Sequence, residues 1–360
     1  MPDRSSSTAL VRPRGHEEAV AGLAASARQG TLPHALLFTG EEGIGKYRAA
    51  LWLAATLLCD RGESSPCLEC GPCLRVQRGS HADVFIVDHH AHGQNAITVD
   101  FIAARESRSR EAYQGAPVEA FLALRSAEGR GKFVIVREAE AMLEEAQNAF
   151  LKTLEEPRPG VHILLECSSP GSLLATVRSR VVSVALGAPG PDACSQILLD
   201  GEALGPDADR SELDALVRLA GGSPGLALRL HARSAPRMQA LIGAAFCGER
   251  SRAEVAAELF DLDGDFPGKT ASAQRRTRAR TILDLGLDVL ADVERAAAGG
   301  DPAQLAHGSL VGRIAAAPFG RSRDRRRVAA EGWLSAREDL NLNLSPEALV
   351  ERALASIGRP

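Results

Sequence analysis

Three things are scarce in this chain of 360 residues: aromatic side chains, long apolar runs and net charge. Aromatics are only 4% of the sequence, yet apolar residues as a whole reach 45%. That is enough for large cores, and the dominance of Ala, Leu and Arg favours helix. The longest apolar run, around Ala49 to Leu58, is too short to cross a bilayer. The stretch from Met1 to Gly15 is polar and basic, with no apolar segment of the secretory kind. A soluble, cytoplasmic, helix-rich protein is therefore expected, with no membrane partner. The formal charge of -4 argues against a chain whose bulk wraps nucleic acid, although local basic patches remain open.

What is present begins with a phosphate-binding loop. Leu36-Leu37-Phe38 reads as a short buried strand, and Gly40-Glu41-Glu42-Gly43-Ile44-Gly45-Lys46 follows it. Gly40, Gly43 and Gly45 let the backbone turn tightly and aim successive N–H groups at one point. Lys46 opens a helix whose dipole also favours an anion. The pattern is that of a P-loop, in which the next residue is Ser or Thr and its hydroxyl holds Mg²⁺. Here that residue is Tyr47, whose phenol cannot put its oxygen where a short hydroxyl sits.

Four cysteines come within one helix of the loop. Cys59 closes an Ala- and Leu-rich helix from Lys46 to Leu58, and Cys67, Cys70 and Cys73 follow at three-residue spacing. Four thiolates so close together suit tetrahedral zinc, with Gly62, Pro66, Gly71 and Pro72 supplying the turns. Disulfides would need an oxidising compartment. An iron–sulfur cluster would be expected to bring a further Cys followed by Pro, which is absent downstream. Structural zinc on Cys59, Cys67, Cys70 and Cys73 is the expectation; the scattered Cys167, Cys194 and Cys247 read as buried core thiols.

The length suggests two or three domains. Short apolar runs at Leu36–Phe38, Val84–Val87, Phe133–Val136, His162–Glu166 and Val181–Val184 alternate with helical patterns. They predict an α/β sheet of mostly parallel strands. Glu155-Glu156-Pro157-Arg158-Pro159-Gly160 is a helix stop, and Gly187-Ala188-Pro189-Gly190-Pro191 is the clearest linker. Beyond it the pattern is helical, broken at Gly221-Gly222-Ser223-Pro224-Gly225 and Ser234-Ala235-Pro236. Domains are thus expected at 1–188, 189–235 and 236–360. Asp261-Leu262-Asp263-Gly264-Asp265 reads as a polar loop, since a calcium loop would need a later Glu. Arginines at 275, 276, 278 and 280, and again at 321, 323, 325, 326 and 327, read as solvated faces, with an acidic-partner or nucleic-acid patch as the alternative.

With these features assembled, the chain resembles the AAA+ family of bacterial DNA polymerase III clamp-loader subunits. His34-Ala35-Leu36-Leu37-Phe38 resembles the family's His-Ala-x-Leu-Phe strand, and Ile97-Thr98-Val99-Asp100 a segment leading into its next helix. Asn148-Ala149-Phe150-Leu151-Lys152-Thr153-Leu154-Glu155-Glu156-Pro157 is similar to Asn-Ala-Leu-Leu-Lys-Thr-Leu-Glu-Glu-Pro. Thr176-Val177-Arg178-Ser179-Arg180-Val181 resembles the Ser-Arg-Cys segment, with Val181 in the Cys place. Leu340-Asn341-Leu342-Asn343-Leu344-Ser345-Pro346-Glu347 is similar to the collar's Asn-x-Asn signature. The resemblance implies an α/β P-loop NTPase domain with a RecA-like parallel sheet, followed by all-helical lid and collar domains.

Within the family, tau or gamma subunits hydrolyse ATP, whereas delta prime subunits are often degenerate at the nucleotide site. Three departures here resemble the delta prime branch. Tyr47 replaces the P-loop hydroxyl. The strand Phe133–Val136 ends in Arg137 then Glu138, where an Asp holding Mg²⁺ is expected. The second-domain sensor Gly-Ser-x-Arg reads Gly222-Ser223-Pro224-Gly225. Losing two metal-holding groups removes the Lewis acid of phosphoryl transfer, and Arg137 puts positive charge where a cation should bind. Gly40, Gly43, Gly45 and Lys46, with Glu138, are the residues of such a degenerate site, able to hold ATP or another nucleotide weakly. The resemblance further implies an arginine finger at Arg180, with Arg178 as a competitor, reaching a neighbour's γ-phosphate. It implies delta and gamma/tau subunits as partners, and the sliding clamp and primed DNA through the complex. Two alternatives stand beside this. One is an active ATPase of the gamma/tau type using Glu41, Glu42 or Glu138. The other is a zinc-dependent DNA-binding protein that keeps a dead P-loop.

Overall fold

Near-continuous apolar runs fold as strands buried on both faces when helices cover both sides of a parallel sheet. The computed structural model describes residues 10, 12–62, 66–104, 113–200, 204, 209–268, 270–301, 305–342 and 344–358. Asn343 of the collar signature and the first nine residues lie outside these. Its strands are β1 (Ala35–Thr39), β2 (Val84–Val87), β3 (Lys132–Val136), β4 (Val161–Cys167) and β5 (Val182–Ala185). They form one sheet in the order β2-β3-β4-β1-β5, and every pair is parallel. The expected strands are met within a residue at each end. The last is shifted by one because pairing to β1 begins at Val182, opposite Leu36.

The chain divides into two compact units, Met1–Ala193 and Cys194–Pro360. The first holds the sheet with α1 (Glu17–Arg28), α2 (Lys46–Leu58), α3 (Gly71–Gln77), α4 (Val99–Ile102), α5 (Val118–Ala123), α6 (Glu144–Glu155) and α7 (Ala175–Arg178). Alternate strand residues feed two cores, one on each face. Leu36, Phe38, Phe133, Ile135 and Leu164 pack with α1 and α2. Leu37, Val134, Val136, Ile163 and Leu165 pack with α4, α5 and α6. This alternation is what the two-residue period of a strand requires. It makes the first unit an α/β P-loop domain of the expected class.

The second unit is helical, as expected: α8 (Pro191–Asp200, which begins at the boundary), α9 (Arg210–Leu219), α10 (Pro224–Ala232), α11 (Ala235–Cys247), α12 (Arg252–Asp261), α13 (Ala271–Ala297), α14 (Gly308–Ala316), α15 (Pro318–Arg321), α16 (Arg323–Asp339) and α17 (Pro346–Ser356). None of the described helices is long and apolar enough to cross a membrane. A small core of Cys194, Leu198, Leu213, Val217, Ala220 and Ala227 joins α8, α9 and α10. A larger one runs from Ala235 to Ile357. At its centre Trp333 is wholly buried, and its ring lies where a side chain at Gly286 would begin, 1.8 Å from an ideal Cβ. Glycine there lets α13 and α16 approach closely.

The arginine clusters match the expected solvated faces only in part: Arg275, Arg280, Arg321, Arg323 and Arg327 are exposed, whereas others are engaged with the fold. Arg276 donates to the Leu340 and Leu342 carbonyls, Arg278 to that of Phe260, and Arg280 to Asn341. Arg326, nearly buried, donates to Glu294 and to the Gly320 carbonyl. These guanidiniums tie helix ends together, because five fixed donors can satisfy several orphan carbonyls at once. Arg321 and Arg323 do stand exposed. Cys167 and Cys194 are buried as expected, while Cys247 is only partly so.

Candidate nucleotide and metal sites

β1 delivers the chain to the loop, and the loop delivers it to α2. Gly40, Gly43 and Gly45 have φ of 144°, 83° and 103°, a region costly for any residue with a Cβ. At Gly40 a Cβ would also meet the Leu186 carbonyl at 2.2 Å. Lys46 is 1% exposed. Its Nζ donates to the Gly40 and Glu41 carbonyls at 2.9 and 2.7 Å and to Ser168 Oγ at 2.8 Å. The P-loop ammonium is thus folded back onto its own loop. His34 Nε2 lies 2.9 Å from the Leu154 carbonyl, which ties the strand feeding the loop to α6 and its Lys-Thr-Leu-Glu-Glu-Pro string.

Tyr47 and Arg137 meet beside the loop. Tyr47 is buried, and burial, partly offset by Arg137, pushes its phenol above the ordinary value, so it remains neutral. The Arg137 guanidinium stacks on its ring, 4.6 Å from the centroid. Arg137 Nη1 reaches Asp88 Oδ2 at 2.5 Å. Asp88 follows β2 directly and Arg137 follows β3, and Val87 and Val136 are register partners, so the sheet itself sets this pair. Glu138 has a left-handed φ of 49°, and its Oε2 lies 3.1 Å from His90 Nε2.

One residue at this site was not anticipated for it. Glu166 of β4 interacts electrostatically with Lys46 and Arg137, yet its Oε2 is shut off from solvent and has no hydrogen-bond partner. Burial raises its carboxyl from the ordinary 4.5 to about 7, against the pull of Lys46 and Arg137. The available signal was a lone acid inside the apolar strand Ile163-Leu164-Leu165-Glu166-Cys167. A raised carboxyl stabilises the fold fully below its unfolded value, and this contribution is lost as pH climbs from 4.5 through about 7. Glu166→Gln should therefore raise the melting temperature at about pH 8, by stability on the order of 1–3 kcal/mol, and change it little near pH 5. Thermal melts at both values check this; an equal shift at each would contradict the raised carboxyl.

The four cysteines converge. Cys59 ends α2, Cys70 caps α3 and Cys73 lies in its first turn, with all four Sγ atoms within 4.8 Å of one another. Cys59 and Cys70 Sγ are 3.9 Å apart, close to the roughly 3.8 Å that tetrahedral geometry with 2.3 Å zinc–sulfur bonds requires. Leu68 adopts φ 63° to turn the Cys67–Cys70 knuckle, and the Cys70 N–H points at Cys67 Sγ at 3.3 Å. The Glu69 N–H, then that of Cys70, lowers the Cys67 thiol to about 6, whereas burial raises Cys73. Arg130 anchors the cluster through the Leu58 and Cys59 carbonyls and Asp60. None of the cysteines is in a disulfide, and the donor set fits a single thiophilic metal ion.

Arg180 stands apart from both sites. Its Nη1 donates to the Thr176 carbonyl at 2.8 Å, and its Nη2 pairs with Glu155 Oε1 at 2.6 Å. Arg178 is exposed on α7. In the second unit, Ser223 is buried and its Oγ accepts the Leu226 N–H at 3.3 Å. With Pro224 at the first turn, it acts as the N-cap of α10.

A family profile described as DNA polymerase III, delta subunit, matches residues 15–189. The chain is 35% identical to DNA polymerase III subunit delta' of Pseudomonas aeruginosa over 58% of this chain and 59% of that one. Over its P-loop unit the chain is similar to DNA polymerase III delta prime subunits. The delta' subunit of Bacillus subtilis is 31% identical over 47% of this chain and 46% of its own. The chain thus spans about half the length of the curated delta prime relatives it matches. DNA polymerase III subunit tau of Escherichia coli is 31% identical over 48% of this chain and 25% of its own. The pairing of Asp88 with Arg137 over Tyr47 is where the surroundings of this loop depart from an ordinary P-loop.

Proposed function

We propose that the protein is a non-hydrolysing delta prime subunit of a bacterial replicative clamp loader. It would have an AAA+ domain at 1–188, a lid at 189–235 and a collar at 236–360. The separate cores of α8–α10 and α11–α17 support the last division. In this reading it joins delta and gamma/tau subunits in the cytoplasmic replisome, and the complex loads the sliding clamp onto primed DNA. Zinc on Cys59, Cys67, Cys70 and Cys73 is structural. Arg180 acts in trans on a neighbour's ATP.

The observation that carries the reading is Arg137, ion-paired with Asp88 and stacked on Tyr47 at the end of β3. Phosphoryl transfer needs Mg²⁺ on the β- and γ-phosphates. A guanidinium in that neighbourhood opposes a divalent cation, and a neutral buried phenol offers it no ligand. Lys46, held by two carbonyls and Ser168, must leave three hydrogen bonds to reach a phosphate. Ionised Glu166 opposes an anion further. Nucleotide binding is accordingly weak, and the sensor segment serves as a helix cap without an arginine.

The purified chain should release phosphate from ATP no faster than a Lys46→Ala control, with or without primed DNA and clamp. Turnover at the rate of an ordinary P-loop ATPase, abolished by Lys46→Ala, would instead favour the gamma/tau type.

A further inference from the structure

Asp88-His89-His90 follows β2, and Glu138 follows β3 by two residues. These two strand ends lie side by side in the sheet. His90 Nε2 is 3.1 Å from Glu138 Oε2, and His89 Nε2 is 4.0 Å from the same oxygen. The two imidazole rings are 4.0 Å apart, tilted by 34°. One donor atom from each of the three residues falls within 4.8 Å of the others.

From the juxtaposition of His89, His90 and Glu138 we infer a second metal site, for a divalent first-row transition ion of the zinc class, distinct from the cysteine centre. Bonds of about 2.0–2.2 Å to imidazole nitrogen and carboxylate oxygen put donor atoms roughly 3–4 Å apart. The two distances to Glu138 Oε2 span that range. The donor set of two imidazoles and a carboxylate suits zinc, cobalt or nickel rather than Mg²⁺, which prefers oxygen.

Two observations set this cluster apart from a chance surface pairing. His89 is 2% exposed, yet its Nδ1 has no partner among the described residues and its Nε2 stands beyond hydrogen-bond reach of the carboxylate. Neither ring nitrogen of His89 is claimed by a hydrogen bond among the described residues, so its Nε2, on the Glu138 side, is free to ligate an ion. Glu138 holds a left-handed backbone, which a non-glycine residue adopts at a cost. That conformation separates neighbours in sequence: Arg137 goes to Asp88 and Tyr47, and Glu138 to the histidines.

The rest of the turn is fixed. Asp88 Oδ1 accepts the His90 and Ala91 N–H groups at 3.0 and 3.3 Å, while its Oδ2 holds Arg137. Asp88 therefore positions the ligands, and its charge offsets part of the repulsion that the Arg137 guanidinium exerts on a cation. His90 and Glu138 are about two-fifths exposed, so coordination positions remain open to solvent. A bound ion would clamp the ends of β2 and β3 together at the rim of the nucleotide pocket.

The test uses the full chain with its cysteine centre first filled with zinc, then titrated with Co²⁺. Wild type should take up one further equivalent, with visible ligand-field bands and no sulfur-to-cobalt band in the near ultraviolet. His90→Ala and Glu138→Gln change partly exposed side chains and should leave the fold intact. Each should weaken that uptake by about tenfold or more, if loss of a direct ligand costs at least what an outer-shell change does. No uptake by wild type, equal uptake by folded variants, or appearance of the sulfur band would each overturn the site.

Discussion

Arg180→Ala should leave the subunit folded and able to assemble, yet lower ATP turnover by the complex and slow clamp loading. The Arg180–Glu155 bridge is solvent-exposed, with side chains 34% and 46% accessible. Such pairs are worth about 0–1 kcal/mol, so deleting the guanidinium changes stability little, and swinging it toward a neighbour costs equally little. An arginine supplied in trans to a γ-phosphate, by contrast, contributes on the order of 10³–10⁵ in rate for phosphoryl-transfer enzymes. The complex should lose the share of turnover of the one site that Arg180 serves. Arg178→Ala should have the smaller effect, since Arg180 holds the register of the Ser-Arg segment. Steady-state ATPase of the assembled complex with primed DNA and clamp, wild type against each variant, decides the matter. Equal rates for wild type and Arg180→Ala, with assembly confirmed, would reduce this chain to a structural member.

The pairing with Glu155 also shows what a sequence conveys and what it withholds. The string ending Leu154-Glu155-Glu156-Pro157 was legible as a helix and its stop, and α6 ends at Glu155. That Glu155 meets an arginine in the turn after α7 depends on chain crossing, which no local pattern encodes. The strands were legible because sheets buried on both faces demand apolar runs. The P-loop was legible because its glycines have one backbone purpose. The four cysteines announced themselves by spacing. Tyr47 and Arg137 were each visible as departures, but their stacking was not, nor was the part of Asp88, because β2 and β3 become neighbours only once the sheet forms. The arginine runs misled in part, since Arg275, Arg280, Arg321, Arg323 and Arg327 are exposed as expected. A charge cluster reads as a solvated face, yet Arg276 and Arg278 spend donors on carbonyls distant in sequence, and Arg326 reaches the Glu294 carboxylate. Glu166 was hidden for the opposite reason: one acid in an apolar strand looks like a strand edge until its surroundings are known.

Losing one thiolate from the cysteine centre should free the segment that carries it from the rest of the first unit. Structural zinc contributes roughly 10–16 kcal/mol in small zinc-finger peptides. Here the ligands hang between α2 and α3 on an already folded sheet, so the full amount is not at stake. The segment from Cys59 to Arg78 has only a thin core: among its described residues Cys59, Pro66, Pro72, Cys73 and Val76 are the buried ones. Without the metal, Leu68 must still hold its left-handed backbone, and four sulfurs must stay within 4.8 Å with nothing drawing them together. Cys70→Ala should therefore release this module while the P-loop and its lysine contacts persist. Limited proteolysis should cut between residues 60 and 78 in the variant and not in wild type. The all-sulfur cobalt spectrum of the wild type should also disappear, whereas uptake at the histidine site should remain. Chelator treatment of wild type should reproduce the proteolysis pattern. A Cys70→Ala protein that keeps one zinc on sulfur ligands and resists cleavage as wild type does would refute the structural metal.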